Sequence, residues 1–297
     1  MKAKTPLLVI LANLTIALTL IWFFPSTGDY RCDNPFWNGF SKIEQSLQAK
    51  PLTDLGKLPI NPTETALILI PYKPLDGQEM RILETYVVNG GVLILMDDYG
   101  YGNEVLQTLN IGLRFSKEPL LDPLFNYKSP QLPKAILFSR LLSGVQSIVM
   151  NHATALNVTG DAEVLAWSSS FSFQDLDRDL EWDPDEPKGR FPVAARAKLG
   201  NGWVIAVSDP SIMINSMVEM DDNSLFVRRL LELHKASEVF IDQSHLPTSR
   251  LEQAKGVLRT AYLYVSSPIG VLAVITLTLI SCLSPLWLRE VTVWRRS

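Results

Sequence analysis

Two uncharged apolar segments, residues 7–24 (LLVILANLTIALTLIWFF) and 268–288 (PIGVLAVITLTLISCLSPLWL), lie near the two ends of this 297-residue chain and bracket about 240 residues of mixed character. A hydrocarbon layer of about 30 Å needs about 20 helical residues at 1.5 Å each, so both segments read as membrane spans. Asn13, Thr15 and Thr19 are the polar groups of the first segment, and each can bond to its own helix. Trp22 and Phe23 near the end of the first segment, Tyr262 and Tyr264 before the second, and Trp287 at its far end fit aromatic belts at the headgroup level. The competing reading of the first segment is a cleaved signal peptide behind Lys2 and Lys4; the long apolar run and the absence of a small-x-small site after it favour retention.

Orientation follows from the short tails. Lys2 and Lys4 precede the first span, and Arg289, Arg295 and Arg296 lie at or beyond the end of the second. The positive-inside rule therefore predicts a two-pass protein of the cytoplasmic membrane, with N and C termini cytoplasmic and the central domain extracytoplasmic. Arg250, Lys255 and Arg259 just before the second span oppose this placement. The expected organisation is a tail and span over 1–27, an α/β domain over 28–264, and a span with a short tail over 265–297.

The formal net charge is -4, from 27 Lys and Arg against 31 Asp and Glu, and no basic stripe suggests nucleic acid. Cys32 and Cys282 are the two cysteines, one outside and one within a segment read as a span, so no disulfide can staple the domain internally.

Within the domain, residues 65–98 carry the plainest fold signal. Two fully apolar runs, ALILI and VLILM, flank a helix-length segment whose Met80, Leu83 and Val87 form an apolar stripe, with Gly90 and Gly91 to stop it. This reads as a βαβ unit of a mostly parallel sheet buried on both faces. Residues 196–209 read as a hairpin turning at Gly200-Asn201-Gly202, followed by a helix from Asp222-Asn223-Ser224 and a strand EVFID. A helix over 36–48 and strands in SIVMNHATAL and EVLAWSSS are also expected, and residues 116–134, with four prolines, read as irregular cover for a sheet edge.

Ligands of open parallel sheets bind beyond the carboxyl ends of the strands, so acids there are the first candidates. Asp97, Asp98, Asp209 and Asp242 follow strands, with His245 three residues after the last. Converging, they form an oxygen-rich set for a divalent cation; singly, each caps a turn. The loop Asp98-Tyr99-Gly100-Tyr101-Gly102-Asn103 reads either as a backbone cradle for an anion or as a tight turn with Asn103 capping the next helix. Asn215, Asp222 and Asn223 complete the candidate binding face. Asp175, Asp177, Asp179, Asp183 and Glu186 match positions 1, 3, 5, 9 and 12 of an EF-hand calcium loop, although Leu180 stands where a Gly is required and Pro184 interrupts it. No G-x-S-x-G elbow or H-E-x-x-H occurs, and no cysteine is expected near a strand end. His152 reads as part of a strand and His234 as a partner of a helix C-terminal dipole. Asn157-Val158-Thr159 matches a glycosylation sequon.

The runs ETYVVNGGVLILMDDYGYGNEVLQTLNIGLRF, GNGWVIAVSDPSIMINSMVEMDDNSLFVRRLLE and VFIDQSH, in that order, resemble the membrane-anchored proteins of domain of unknown function 4350. The resemblance implies a class I glutamine amidotransferase-like, flavodoxin-like α/β fold and association with other membrane proteins, including a MoxR-type ATPase system. Where enzymes of that wider fold carry a nucleophile, this chain has Asp97-Asp98-Tyr99-Gly100, and Gln243 stands where the resemblance implies an acid. The leading expectation is a non-catalytic anchored domain that binds a partner protein or small ligand, with no cofactor beyond an optional divalent cation. A hydrolase or metal enzyme using Asp97, Asp98, Asp209, Asp242 and His245 is the alternative, and a purely structural subunit the third.

Overall fold

The computed structural model describes residues 4–136 and 139–294, with side chains over 8–136 and 139–283. The chain divides into two compact units, Pro25–Pro247 and a second made of 1–24 with 248–297. The helix after Pro247 groups with the apolar ends of the chain.

The second unit begins with α1 (Lys4–Phe23). In the larger unit, α2 (Ser41–Leu47) and β1 (Lys50–Leu52) lead into β2 (Thr65–Leu69), α3 (Gly77–Val88), β3 (Val92–Met96) and α4 (Gly102–Thr108). Short strands follow: β4 (Leu113–Phe115), β5 (Leu120–Leu121), β6 (Lys134–Ile136), β7 (Ser147–Val149), β8 (Leu156–Val158), β9 (Glu163–Ser168) and β10 (Phe173–Gln174). The hairpin β11 (Pro192–Leu199) and β12 (Gly202–Val207), then α5 (Asn223–Leu233) and β13 (Glu238–Asp242), complete this unit. Helices α6 (Arg250–Ser266) and α7 (Pro268–Trp294) return to the second.

Among the described residues the main sheet has nine strands in the order β1-β13-β2-β3-β12-β11-β9-β6-β7. The first five are parallel and the rest antiparallel. The βαβ unit and the hairpin stand as read, and the helix expected over 36–48 is confined to α2. Alternation along the fully buried strands divides the core in two. Ala66, Ile68, Val92, Ile94, Met96, Ile205 and Val207 face Phe40 and Ile43 around α2 and Phe226 and Leu230 of α5. Leu67, Leu69, Leu93, Leu95, Val204 and Ala206 face Met80, Leu83 and Val87 of α3 and Val105 and Leu106 of α4. Each such side chain fully withdrawn from water contributes about 1.5–3 kcal/mol before entropy is counted.

Asp76 and Glu79 form a reciprocal capping box at the start of α3, and Gly90 beyond its end takes φ 112°, a conformation that resists side chains. Both sheet edges are blunted. At one, β1 is three residues long and includes Lys50 and Pro51, which lacks an amide hydrogen. At the other, Asp222 accepts from the amides of Gln146 and Ser147, and Asn223 bonds both the N–H and C=O of Val149. The helix expected from Asp222-Asn223-Ser224 is α5, but these cap-forming residue types do not cap it: Asp222 flanks α5 without a side-chain cap bond, because its carboxylate is drawn to the strand edge.

In the second unit, no single helix among the described residues is long and apolar enough by itself to cross a membrane. Leu8–Phe23 is a shorter apolar helix, and Arg250–Ser266 with Pro268–Leu283 forms a pair bent by 79°.

Asn223 is fully buried, and its truncation strands the Val149 groups and the Met217 carbonyl. Asn223→Ala is expected to cost about 1–3 kcal/mol for each buried group left unpaired, measured by denaturant unfolding of the full chain in detergent.

Candidate functional site

Strands β13, β2, β3 and β12 are parallel neighbours, so their carboxyl ends meet one edge: Asp242, then Ile70-Pro71-Tyr72, then Asp97-Asp98, then Ser208-Asp209. Backbone amides beyond that edge have no ladder partner and need acceptors. Asp97 supplies two: Oδ1 accepts from Gly100 N at 2.6 Å and Oδ2 from Gly102 N at 2.8 Å. A Cβ at residue 100 would lie 2.6 Å from Asp97 Oδ1 and from the Pro71 carbonyl oxygen, and one at 102 would lie 2.6 Å from Oδ2. The glycine loop is therefore a cradle whose anion is the chain's own Asp97. Burial pushes this carboxyl up to about 6 against the lowering effect of the two amides.

Asp98 has a different setting. Its Oδ1 accepts from the Tyr72 hydroxyl at 2.9 Å and from Tyr99 N at 2.6 Å. Tyr72 and Tyr30 share a hydroxyl contact of 3.2 Å, and their rings stack with centroids 5.5 Å apart and planes 10° apart. Burial raises Asp98, and burial with the nearby Asp98 charge raises both phenols, so the tyrosines stay neutral donors. On neighbouring β12, Asp209 accepts from Ser211 N and Asn151 N, each at 2.6 Å. It too is fully buried, and burial together with the Asp98 charge pushes it up to about 7. Tyr99, 39% exposed, roofs this corner and is pushed up to about 12 by burial and by Asp98. The charge of His152 lowers Asp98. Asp98, Asp209, Tyr30, Tyr72 and Tyr99 thus form one polar, aromatic corner.

Asp242 is apart from it. Two strands, β2 and β3, separate β13 from β12, a span of about 14 Å at 4.7–4.9 Å per step. The expected convergence of all the strand-end acids on one cation therefore does not occur. Asp242 Oδ2 instead meets His245 N at 2.9 Å and His245 Nδ1 at 3.1 Å, and its Oδ1 accepts from the Ser244 hydroxyl at 2.5 Å. His245 Nε2 faces Glu79 Oε2 at 3.3 Å. Burial alone would lower the imidazole, but Asp242 and Glu79 raise it overall. Asp242 stays below its ordinary value: burial opposes this, and the bonds from His245 and Ser244 outweigh it. Gln243, in the place where an acid is implied, accepts from Cys32 N at 3.0 Å. A cysteine does lie beside a strand end, buried and pushed up to about 12 chiefly by that burial, contrary to the expectation from spacing.

The remaining candidates hold the chain together. Asn103 is not the helix cap; its amide accepts from Phe115 N and donates to Phe115 O, tying β4 to α4. Asn215 accepts from Lys42 N and donates to the carbonyls of Asn34 and Phe36, fastening the segment before α2. His152 sits in a left-handed turn at φ 53° rather than in a strand. His234 does cap α5, but burial and then Arg196 lower it to about 4, so at neutral pH it has no charge to offer the helix dipole.

The acidic loop gathers its carboxylates. Ligand oxygens of Asp175, Asp177 and Glu186 lie within 4.8 Å of one another, as do those of Asp177, Asp179 and Asp183. Leu180 adopts φ 70°, so the backbone turn reserved for Gly is made by a leucine, with its N–H donated to Asp175 Oδ2 at 3.1 Å. An all-oxygen set of this kind has the chemistry a hard cation requires.

Tyr30, Tyr72 and Asn151 escaped the sequence reading. Tyr72 lies three residues beyond β2, and an uncharged phenol there has no signal that sets it apart from an ordinary loop residue. Tyr30 and Asn151 arrive through long-range folding and have no local signal.

Residues 33–231 match the family described as "Domain of unknown function (DUF4350)". The match covers well over half of the chain, and the chain belongs to that family. No curated protein matches. Among solved structures, the mmIFT52 N-terminal domain is similar at 16% identity and TM-score 0.45, over 57% of this chain and 76% of that one. A ThuA-like protein from Bacteroides uniformis is similar at 16% and 0.39, over 62% and 75%. A β-galactosidase from Bacillus circulans is similar at 15% and 0.37, over 57% and 22%. Likenesses of this strength bear on neither activity nor ligand.

Gly102→Ala, which drives a Cβ against Asp97 and the Phe115 ring, is expected to cost about 1–3 kcal/mol in denaturant unfolding. Asp209 gives a pH signature. Between an unfolded value of about 4 and a folded value of about 7, the native state holds a proton that the unfolded chain has released, so stability falls as pH rises through that window. Asp209→Asn is expected to flatten this slope, read from unfolding curves of the full chain in detergent at a series of pH values.

Proposed function

We propose that this DUF4350 protein is a membrane-anchored α/β domain that binds a ligand or partner protein at the carboxyl edge of its sheet without covalent chemistry there. The observation that carries this reading is the employment of the strand-end acids. Asp97 and Asp209 spend both oxygens on loop amides, and Asp242 spends its own on Ser244 and His245. Tyr99 remains as an exposed aromatic surface, backed by the buried Asp98 and the half-buried Tyr72 and Tyr30, which suits recognition. Five parallel strands with helices on both faces agree with the glutamine amidotransferase-like fold that the resemblance implies. That resemblance also supplies the partner class, other membrane proteins with a MoxR-type ATPase system among them.

Anchoring is supported by exposure. Leu8, Ile10, Leu14, Ile16 and Leu20 of α1 are 53–66% exposed, and a helix apolar on every side requires lipid or protein around it. Asn13, Thr15 and Thr19 bond to carbonyls four residues back, so the helix carries no unpaired side-chain donor into that medium. Leu8–Phe23 is short for a span, but counted from Lys4 the 20-residue helix reaches about 30 Å, and the 27 residues of α7 reach about 40 Å. Trp22 packs on Tyr262 at 5.8 Å, so the end of α1 lies against the last turns of α6, an arrangement that supports a reading with both tails on the same side. The basic residues that opposed the external placement all sit on α6, a separate helix before the bend.

Hydrolysis at the strand-end carboxylates is the second reading, favoured by the bonded set Ser244, His245, Asp242 and Glu79. Against it, the Ser244 hydroxyl donates to Asp242, and His245 is enclosed between two carboxylates.

Two measurements test the proposal. A thiol introduced as Asp179→Cys is expected to react with a membrane-impermeant maleimide in intact cells, and protection would overturn the external placement. Cross-linking in native membranes followed by mass spectrometry is expected to capture a partner whose yield falls about tenfold in Asp98→Asn or Tyr72→Phe, the scale of a lost charge-assisted hydrogen bond. An unchanged yield in both variants would remove the sheet edge from the binding face.

A further inference from the structure

Helices α1 and α6 flank an open, shallow cleft of about 630 Å³ lined by Leu18, Thr19, Trp22, Phe23, Leu258 and Tyr262. Five of the six are apolar or aromatic, and the rings of Trp22 and Tyr262 meet each other, with centroids 5.8 Å apart. On α6, Lys255 and Arg259 are i+4 neighbours. Leu258 and Tyr262 lie three and seven residues beyond Lys255, so these four side chains share adjoining stripes of the helix. Among the described residues neither cation is in an ion pair. The acid of the helix, Glu252, has Oε1 buried without a partner.

Resting on the membrane reading above, the position of α6 follows from two contacts. Tyr262 meets Trp22 at the end of α1, and α6 leaves α7 at 79°, so with α7 upright it runs nearly along the membrane plane at the headgroup level. Its final turn is exposed and apolar on all sides, with Tyr262, Leu263, Tyr264 and Val265 between 53% and 74% exposed, as a segment entering the acyl region requires. We propose that the cleft between α1 and α6 seats an acyl chain of an anionic phospholipid whose headgroup is held by Lys255 and Arg259. A zwitterionic lipid fills the cleft equally well but gains little from two cations; an anionic one gains from both, about fivefold for each basic group at the surface. The site also gives the basic residues of α6 a role on the outer side, where the positive-inside rule leaves them unexplained.

The test uses the full chain reconstituted in phosphatidylcholine vesicles that contain the same fraction of either acyl-brominated phosphatidylglycerol or acyl-brominated phosphatidylcholine. Quenching of Trp22 is obtained as the difference between the wild type and Trp22→Phe. Brominated phosphatidylglycerol is expected to quench Trp22 the more strongly. The double variant Lys255→Gln/Arg259→Gln, altered only in side chains outside the core, is expected to reduce that preference by more than tenfold. Equal quenching by the two lipids, or a preference that survives the double variant, overturns the lipid site. Alkaline carbonate extraction of native membranes separates the two ideas: release of the chain refutes the anchoring itself, whereas retention with equal quenching refutes the lipid site alone.

Discussion

A parallel sheet ends in a row of loops whose first amides have lost their strand partners, and in this protein carboxylates take up that deficit. Asp97 serves Gly100 and Gly102, Asp98 serves Tyr99, Asp209 serves Asn151 and Ser211, and Asp242 serves His245. Asp122 does the same away from the main edge, accepting from Leu124 N and Phe125 N and from the hydroxyls of Ser169 and Ser172. A buried carboxylate bonded by amides is costly to desolvate and costly to remove. The raised values of Asp97 and Asp209 express the first cost, and the tight loops around them the benefit.

This arrangement explains what the sequence could and could not disclose. ALILI, VLILM and WVIAV are legible as buried strands because their apolar runs leave no solvent face, and the stripe of α3 is legible because Met80, Leu83 and Val87 recur at helical spacing. The positions of Asp97, Asp98, Asp209 and Asp242 at strand ends follow from those strands. Their separate employment does not, since it depends on strand order, and the insertion of β2 and β3 between β13 and β12 has no local signature. The same holds for Tyr30 and Cys32, which meet Tyr72 and Gln243 beyond the strand ends across stretches of 42 and 211 residues, and for Asn215, which meets Ser41 of α2 across 174. Leu180 shows the opposite limit: residue type argued against a turn that the surrounding amide bonds impose.

The two units show opposite patterns of apolar exposure. In Pro25–Pro247 apolar side chains face inward on both sides of the sheet, and in α1 and α6 they face outward. One chain therefore carries two opposite rules for the same residue types, and the change comes within a few residues at each boundary. That abruptness is why the apolar ends stand out in the sequence before any other feature.

The segment that follows α1 is bound at several points. Tyr30 stacks on Tyr72 at the end of β2, Cys32 is held by Gln243 at the end of β13, and Asn34 and Phe36 are held by Asn215. A force drawn through residue 25 would thus reach β13 and β2, the second and third strands of the sheet, rather than peel the edge strand β1. Bonds to two parallel strands would have to shear together before the segment came free. As a mechanical coupling, the domain is stiff at its point of entry.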